Sequence, residues 1–312
     1  MTDPTQPNID AGATKICDLF TNSKKPFFVG RNGSTEMEML HFWYNYRSKG
    51  VPYPGELLVK LQRYSGIFPA TPMSYDRWAK EYVESLRELD GLAAGWYKPY
   101  EGIETAILDA YAPNAFRMPL RCLEPYYVEP NMRWTASLAG KPVAVVSSFA
   151  DTIRTQTQFA GVSKIWENVD SPETILAPST IWIPIRTYFP PAISQGDSTG
   201  WGREIINWED AVSFTVKKVL ATGASTAIIG CGALGMIIGA RLKRAGVNVI
   251  LMGGAIQVLF GIKGSRWETH GIISKFWNSS WVYPSSAETP SNAYAIEGAC
   301  YWGGSKPSTT PR

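Results

Sequence analysis

Short unbroken apolar runs punctuate this chain at Pro26–Gly30 (PFFVG), Lys141–Ser148 (KPVAVVSS), Thr180–Arg186 (TIWIPIR), Ala227–Gly230 and Val247–Leu251. Runs of this length, rich in Val and Ile, predict buried strands. Pro184 cannot donate to a sheet ladder, so Thr180–Arg186 is expected at an edge or a strand end. Between the runs the apolar spacing becomes helical. Trp78, Tyr82, Leu86 and Leu89 mark a helix over Tyr75–Leu89. Further helices are predicted at Thr35–Ser48, Glu56–Tyr64, Ile153–Phe159 and Met236–Arg244. Another runs through Leu220 behind an Asn207 cap, with Glu209 and Asp210 in its first turn. Thr35 and Glu38 are spaced as a capping box. Residues 50–72 and Phe189–Trp201 are rich in Gly and Pro and predict loops, and residues 91–134 read as irregular and aromatic.

Strands separated by helices predict an α/β fold, Rossmann-like, with a largely parallel sheet and helices on both faces. The pattern is consistent with one domain over residues 26–302, divisible near 135–140. Residues 1–25 form an N-terminal extension and 303–312 a flexible tail. In such sheets ligands sit beyond the carboxyl ends of the strands. Ser147, Arg186, Gly230 and Gly253 all fall at such ends and are expected around one crevice.

The most informative segment is Gly230-Cys231-Gly232-Ala233-Leu234-Gly235, between a predicted strand and a predicted helix. Glycine-rich turns of this kind bring backbone N–H groups and a helix N-terminus close to a phosphate. The alternative is a turn whose glycines serve only a tight strand–helix junction. A dinucleotide site also needs an acidic residue about 20 residues further on to hold the ribose. No Asp or Glu lies between Gly235 and Trp267. NAD is therefore not the expected cofactor, although an NAD-dependent oxidoreductase stays among the alternatives.

Composition narrows the field further. With 30 Lys and Arg against 27 Asp and Glu, the net charge of +3 is too small for a nucleic-acid footprint. No stretch of about 18 apolar residues exists to span a membrane, and MTDPTQPNIDAGATK lacks the apolar centre of a signal peptide. Cys17, Cys122, Cys231 and Cys300 are widely spaced, with no C-x-x-C pair, and only His41 and His270 accompany them. Reduced cysteines, no zinc site and a cytoplasmic location are expected.

Several segments together resemble the GT-D type glycosyltransferase-like family, members of which occur in bacterial polysaccharide clusters and large viruses. Arg31-Asn32-Gly33-Ser34-Thr35-Glu36 is similar to that family's R-x-G-x-x-E strand–turn–helix. Trp134-Thr135 with Leu138-Ala139-Gly140-Lys141-Pro142-Val143-Ala144-Val145-Val146 resembles its central block. Gly253-Gly254-Ala255-Ile256-Gln257, Phe260-Gly261-Ile262-Lys263-Gly264 and Arg266-Trp267 resemble its G-G-A-x-Q, F-G-I-K-G and R-W elements. Trp281-Val282, Glu288-Thr289-Pro290 and Cys300-Tyr301-Trp302 are similar to its end.

The resemblance implies a Rossmann-like fold, a nucleotide-sugar donor and a glycan or other hydroxyl acceptor. It departs at two places. Family members carry D-x-E in the first turn, where the pair helps bind a metal–diphosphate; Ser34-Thr35-Glu36 stands here. Only Glu36 carries over, so Mn²⁺ or Mg²⁺ is expected only if the diphosphate supplies the remaining ligands. Ser147-Ser148 replaces a His-Pro pair after the central strand.

Glycosyl transfer must stabilise a leaving diphosphate, deprotonate an acceptor and exclude water. Glu36 is the candidate base, with a substrate or metal ligand and a structural role as alternatives. Arg31, Gly33, Gly230, Gly232, Gly235, Gly253, Gly254, Gln257, Lys263 and Arg266 are the candidates for holding the donor. The alternatives are an ion pair with Glu36 or Glu38 for Arg31, a surface pair for Lys263 and Arg266, and a helix cap for Gln257. The functional alternative to transfer is a non-catalytic nucleotide-sugar binding protein.

Overall fold

The five apolar runs become five strands of one seven-stranded, wholly parallel sheet. A computed structural model of the chain describes residues 5–158 and 161–303. The strands are β1 (Phe28–Arg31), β2 (Gly91–Ala93), β3 (Phe116–Met118), β4 (Pro142–Ser147), β5 (Ile181–Arg186), β6 (Thr226–Gly230) and β7 (Asn248–Leu251). Their order is β3-β2-β1-β7-β6-β4-β5. The Pro184 strand is an edge strand, as its missing N–H requires.

Alternation along each strand sends side chains to two cores. Phe28, Ala144, Val146, Ala227, Ile229, Val249 and Leu251 face one side. The helices Ser34–Asn45, Gly55–Ser65, Pro72–Ser85, Trp208–Leu220 and Leu234–Arg244 contribute to that core. Val29, Val143, Val145, Ile228 and Ile250 face the other, where the helices Gln6–Asn22 and Ala150–Gln158 and the C-terminal segment pack. Helices thus cover both faces, the arrangement an all-parallel sheet needs. The segment read as an N-terminal extension contains the helix Gln6–Asn22, with Ile9, Ala13 and Ile16 buried.

Asn207 caps its helix as expected, its side chain accepting from the Asp210 N–H at 2.8 Å. The capping box at Thr35 does not form. Gly33 is the N-cap, no side-chain cap closes the turn, and Glu38 pairs with Lys60 instead. Residues 91–134 are more regular than expected: they hold β2, the helix Glu101–Tyr111 and β3. The loop Phe189–Trp201 includes the single turn Pro191–Ser194. Phe159 of the expected Ile153–Phe159 helix and the tail beyond Gly303 lie outside the described residues. All four cysteines are free. Among the described residues no helix is long and apolar enough to cross a membrane.

β4 feeds β5 on one side, and β6 feeds β7 on the other. Connections diverge between these adjacent strands, which opens a crevice at their carboxyl ends.

Candidate functional site

A cavity of about 1030 Å³ opens over the carboxyl end of the sheet, and segments following all seven strands line it. It is large enough for a nucleotide and a second substrate together. Of the residues singled out from sequence, Arg31, Gly33, Glu36, Gly230, Gly232, Gly253, Gly254, Gln257 and Arg266 line it. Gly235 and Lys263 do not.

Arg31 ends β1 and is fixed from two directions. Its Nε donates to the Asn32 carbonyl at 3.0 Å, and its guanidinium lies 4.2 Å from the centre of the Trp96 ring. Asn32 is itself buried and anchored. It donates to Glu104 Oε1 at 2.8 Å and accepts from the Tyr82 hydroxyl at 2.8 Å. The second Glu104 oxygen accepts from the Gly95 N–H at 2.7 Å, which ties in the segment after β2. The alternative, an ion pair with Glu36 or Glu38, does not form: among the described residues no carboxylate lies within 4.0 Å of Arg31. Its terminal nitrogens make no hydrogen bond there either. Burial lowers its pKa, and Glu36, Tyr301, Glu124 and Tyr82 nearby oppose that shift.

Glu36 folds back toward the start of its helix. A Cβ at Gly33 would overlap its carboxylate, so the glycine is there for space and not for its dihedral angles. Burial raises the Glu36 pKa; its own amide, Arg31 and the Ser65 hydroxyl hold it down.

Part of the glycine turn is filled by the protein itself. The Ser65 carbonyl accepts from the Ala233 N–H at 3.0 Å, and the Gly235 N–H is spent on the Gly232 carbonyl at 3.0 Å. Gly232 has φ +59°, and a Cβ there would stand 2.7 Å from the Ser65 oxygen. Gly235 packs on Leu251, and Gly230 leaves room for Ile256 and the Gly253 carbonyl. Two of the amides expected to cradle a phosphate are therefore engaged within the chain.

Gln257 is a clamp. Its Nε2 donates to the carbonyls of Lys263 at 2.8 Å and Tyr301 at 2.7 Å, which joins three parts of the C-terminal block. Its buried Oε1 has no partner among the described residues. Lys263 turns away from the cavity, its ammonium 5.3 Å from the Trp277 ring and 5.8 Å from the Tyr283 ring. As the cation of the F-G-I-K-G element it is a candidate for meeting the diphosphate, but the backbone turns it outward, where its N–H donates to the Val282 carbonyl. Arg266 reaches the cavity but is paired with Glu297 and bonded to the Tyr301 hydroxyl at 3.2 Å.

Sequence reasoning missed Ser65, Trp96, Glu124 and Tyr301, all of which line the cavity. Glu124 sits beyond β3 between two tight turns, Leu120–Leu123 and Pro125–Tyr127. Burial pushes its carboxyl up to about 7, against the pull of Arg31, Arg121 and the Tyr126 hydroxyl.

The residues around Glu36 do not suit Mg²⁺ or Mn²⁺. Ser34 stands in place of a second carboxylate, and the positive charge of Arg31 already acts on the one that is present. Among the described residues no three His, Cys, Asp or Glu side chains converge as a hard cation requires. Glu288, in another of the family-like blocks, has a packing role. Fully buried, it accepts from the Asp151 N–H at 2.7 Å and the Thr152 N–H at 3.1 Å, and caps the helix that follows β4. That helix N-terminus is thereby filled by the protein's own anion.

Comparison with protein-family models, curated proteins and solved structures gave no match.

Proposed function

We propose that this protein is a glycosyltransferase that holds a nucleoside-diphosphate sugar over the β1 end of the sheet, with Arg31 in place of a metal ion. The observation that carries this is the unspent guanidinium of Arg31. A desolvated Arg with both terminal nitrogens available presents a bidentate fork that matches a phosphate. It is also preorganised, since Asn32 and Trp96 fix it before any ligand arrives. Charge that grows on a leaving diphosphate is best stabilised by such a fixed donor in a site shielded from water.

The surroundings support the same assignment. Arg63 and Arg121 line the half of the cavity near the helix Gly55–Ser65 and the end of β3, beside Lys98 and Arg117, which are paired with Glu101 and Asp109. The other half, at the ends of β4 and β5, offers Ser147, Ser148, Thr187 and Tyr188, neutral hydroxyls of the kind that meet a carbohydrate. No Asp or Glu lies between Gly235 and Trp267, where an NAD site would hold the ribose.

The test is thermal unfolding with UDP, GDP, dTDP, CMP and NAD, each in the presence of a chelator. A true ligand at 100-fold its Kd adds about 2.7 kcal/mol of stability. A shift with a nucleoside diphosphate and none with NAD is expected. A shift with NAD alone would overturn the proposal.

A further inference from the structure

Resting on that assignment, we propose that Glu124 is the base that takes the proton from the acceptor hydroxyl. Three acids line the cavity, and their surroundings separate them. Glu297 is paired with Arg266. Glu36 is folded over Gly33 at a helix start, bonded to its own amide and beside the Ser65 hydroxyl. A carboxylate so placed is already spent on the turn that presents Arg31.

Glu124 differs from both. Among the described residues it has no ion pair within 4.0 Å and receives no backbone N–H. Its backbone is rigid nonetheless. The Glu124 N–H donates to the Arg121 carbonyl at 3.1 Å, and its carbonyl accepts from the Tyr127 N–H at 2.9 Å. Leu123 and Tyr126 on either side are core residues, so the side chain between them is held toward the cavity. Tyr126 stacks on Trp166 at 5.2 Å and 11°, which fixes the ring whose hydroxyl acts on the Glu124 carboxyl. Arg31 lies close enough to affect Glu36 and Glu124 alike.

The step balances as follows. The acceptor O–H gives its proton to the Glu124 carboxylate, and the acceptor oxygen forms a bond to the anomeric carbon. The bond from that carbon to the diphosphate oxygen breaks, and its electron pair leaves with the nucleoside diphosphate, whose new charge faces Arg31. A carboxyl that titrates near neutrality suits such a base, since it is substantially ionised at working pH and still basic enough to accept a proton. The groups acting on it are Arg31, Arg121 and Tyr126, and Arg31 is in turn acted on by Glu36, Tyr301 and Tyr82. Among the described residues the nearest ring to Arg121 is that of Tyr127, 4.2 Å away.

The experiment pairs binding with turnover in wild type and Glu124→Gln. Binding is read by calorimetry with UDP, GDP and dTDP. Turnover is read as donor hydrolysis from a panel of UDP-, GDP- and dTDP-hexoses across pH 5.5–9. The variant is expected to bind the same diphosphate within a few-fold of wild type while hydrolysis falls by roughly 10²-fold or more. The rise of the wild-type rate through neutral pH should be absent from the variant. Unchanged hydrolysis with the same pH inflection in Glu124→Gln, where the diphosphate still binds, would overturn the role of Glu124 alone. If wild type binds none of the three diphosphates, the proposed function falls and this role falls with it.

Discussion

The Ser65 carbonyl oxygen occupies the space that a side chain on Gly232 would need, 2.7 Å from where its Cβ would stand. The glycine turn after β6 is therefore closed over the end of the helix Gly55–Ser65. Gly232→Val combines that overlap with a β-branched residue at φ +59°, an outlier for such side chains. Strain and overpacking together predict a loss of roughly 2–4 kcal/mol, read as a lower melting temperature. A Gly232→Val protein that melts like wild type would show the turn to be more open than described.

Gly33 behaves differently. Its φ of −89° suits any residue, and what a Cβ would meet is the far end of the flexible Glu36 side chain. Gly33→Ala should melt within about 1 kcal/mol of wild type, since only the flexible end of the Glu36 side chain has to give way. Its diphosphate affinity should fall, because the displaced carboxylate moves against Arg31. Equal affinity, measured by calorimetry, would separate Glu36 from the presentation of Arg31.

Glu124 carries a pH signature of its own. Its folded pKa of about 7 stands above its ordinary value of 4.5, so the folded state favours the protonated form. The stability this contributes is full below the ordinary value and lost as pH rises to about 7. Glu124→Gln removes the buried charge and keeps the shape. The variant should gain of order 1–3 kcal/mol over wild type at pH 8 and little at pH 4. Denaturant melts at both pH values check this, and equal stability at pH 8 would contradict it.

Glu288→Ala tests a buried cap. It strands the N–H groups of Asp151 and Thr152 at the start of the helix after β4, each with a desolvation cost of about 1–3 kcal/mol. A drop of roughly 2–4 kcal/mol is expected. A change below about 0.5 kcal/mol in a denaturant melt would mean that solvent replaces the carboxylate without cost.

The strands β4–β7 were legible as short apolar runs rich in Val and Ile, although Trp182 and Pro184 interrupt β5, and the helix Trp208–Leu220 because Asn207 announces it. β2 and β3 were not. Gly91-Leu92-Ala93 and Phe116-Arg117-Met118 are too short to show a period, and they hide among aromatics. Arg31, Gly33 and Glu36 were readable as a strand–turn–helix. Trp96, Glu124 and Ser65 stand on irregular segments far apart in sequence, and only the crossovers bring them to one cavity. Lys263 shows the converse: nearness to Gly253 in sequence did not place it in the site.

The most direct measurement is calorimetric titration of UDP, GDP and dTDP into wild type and Arg31→Ala, with EDTA present and again with Mn²⁺. Wild type should bind at least one of the three in EDTA, and Arg31→Ala should lose that binding by 10-fold or more while melting as a folded protein. Binding that requires Mn²⁺, or binding that Arg31→Ala retains in full, would contradict the assignment of the diphosphate to Arg31.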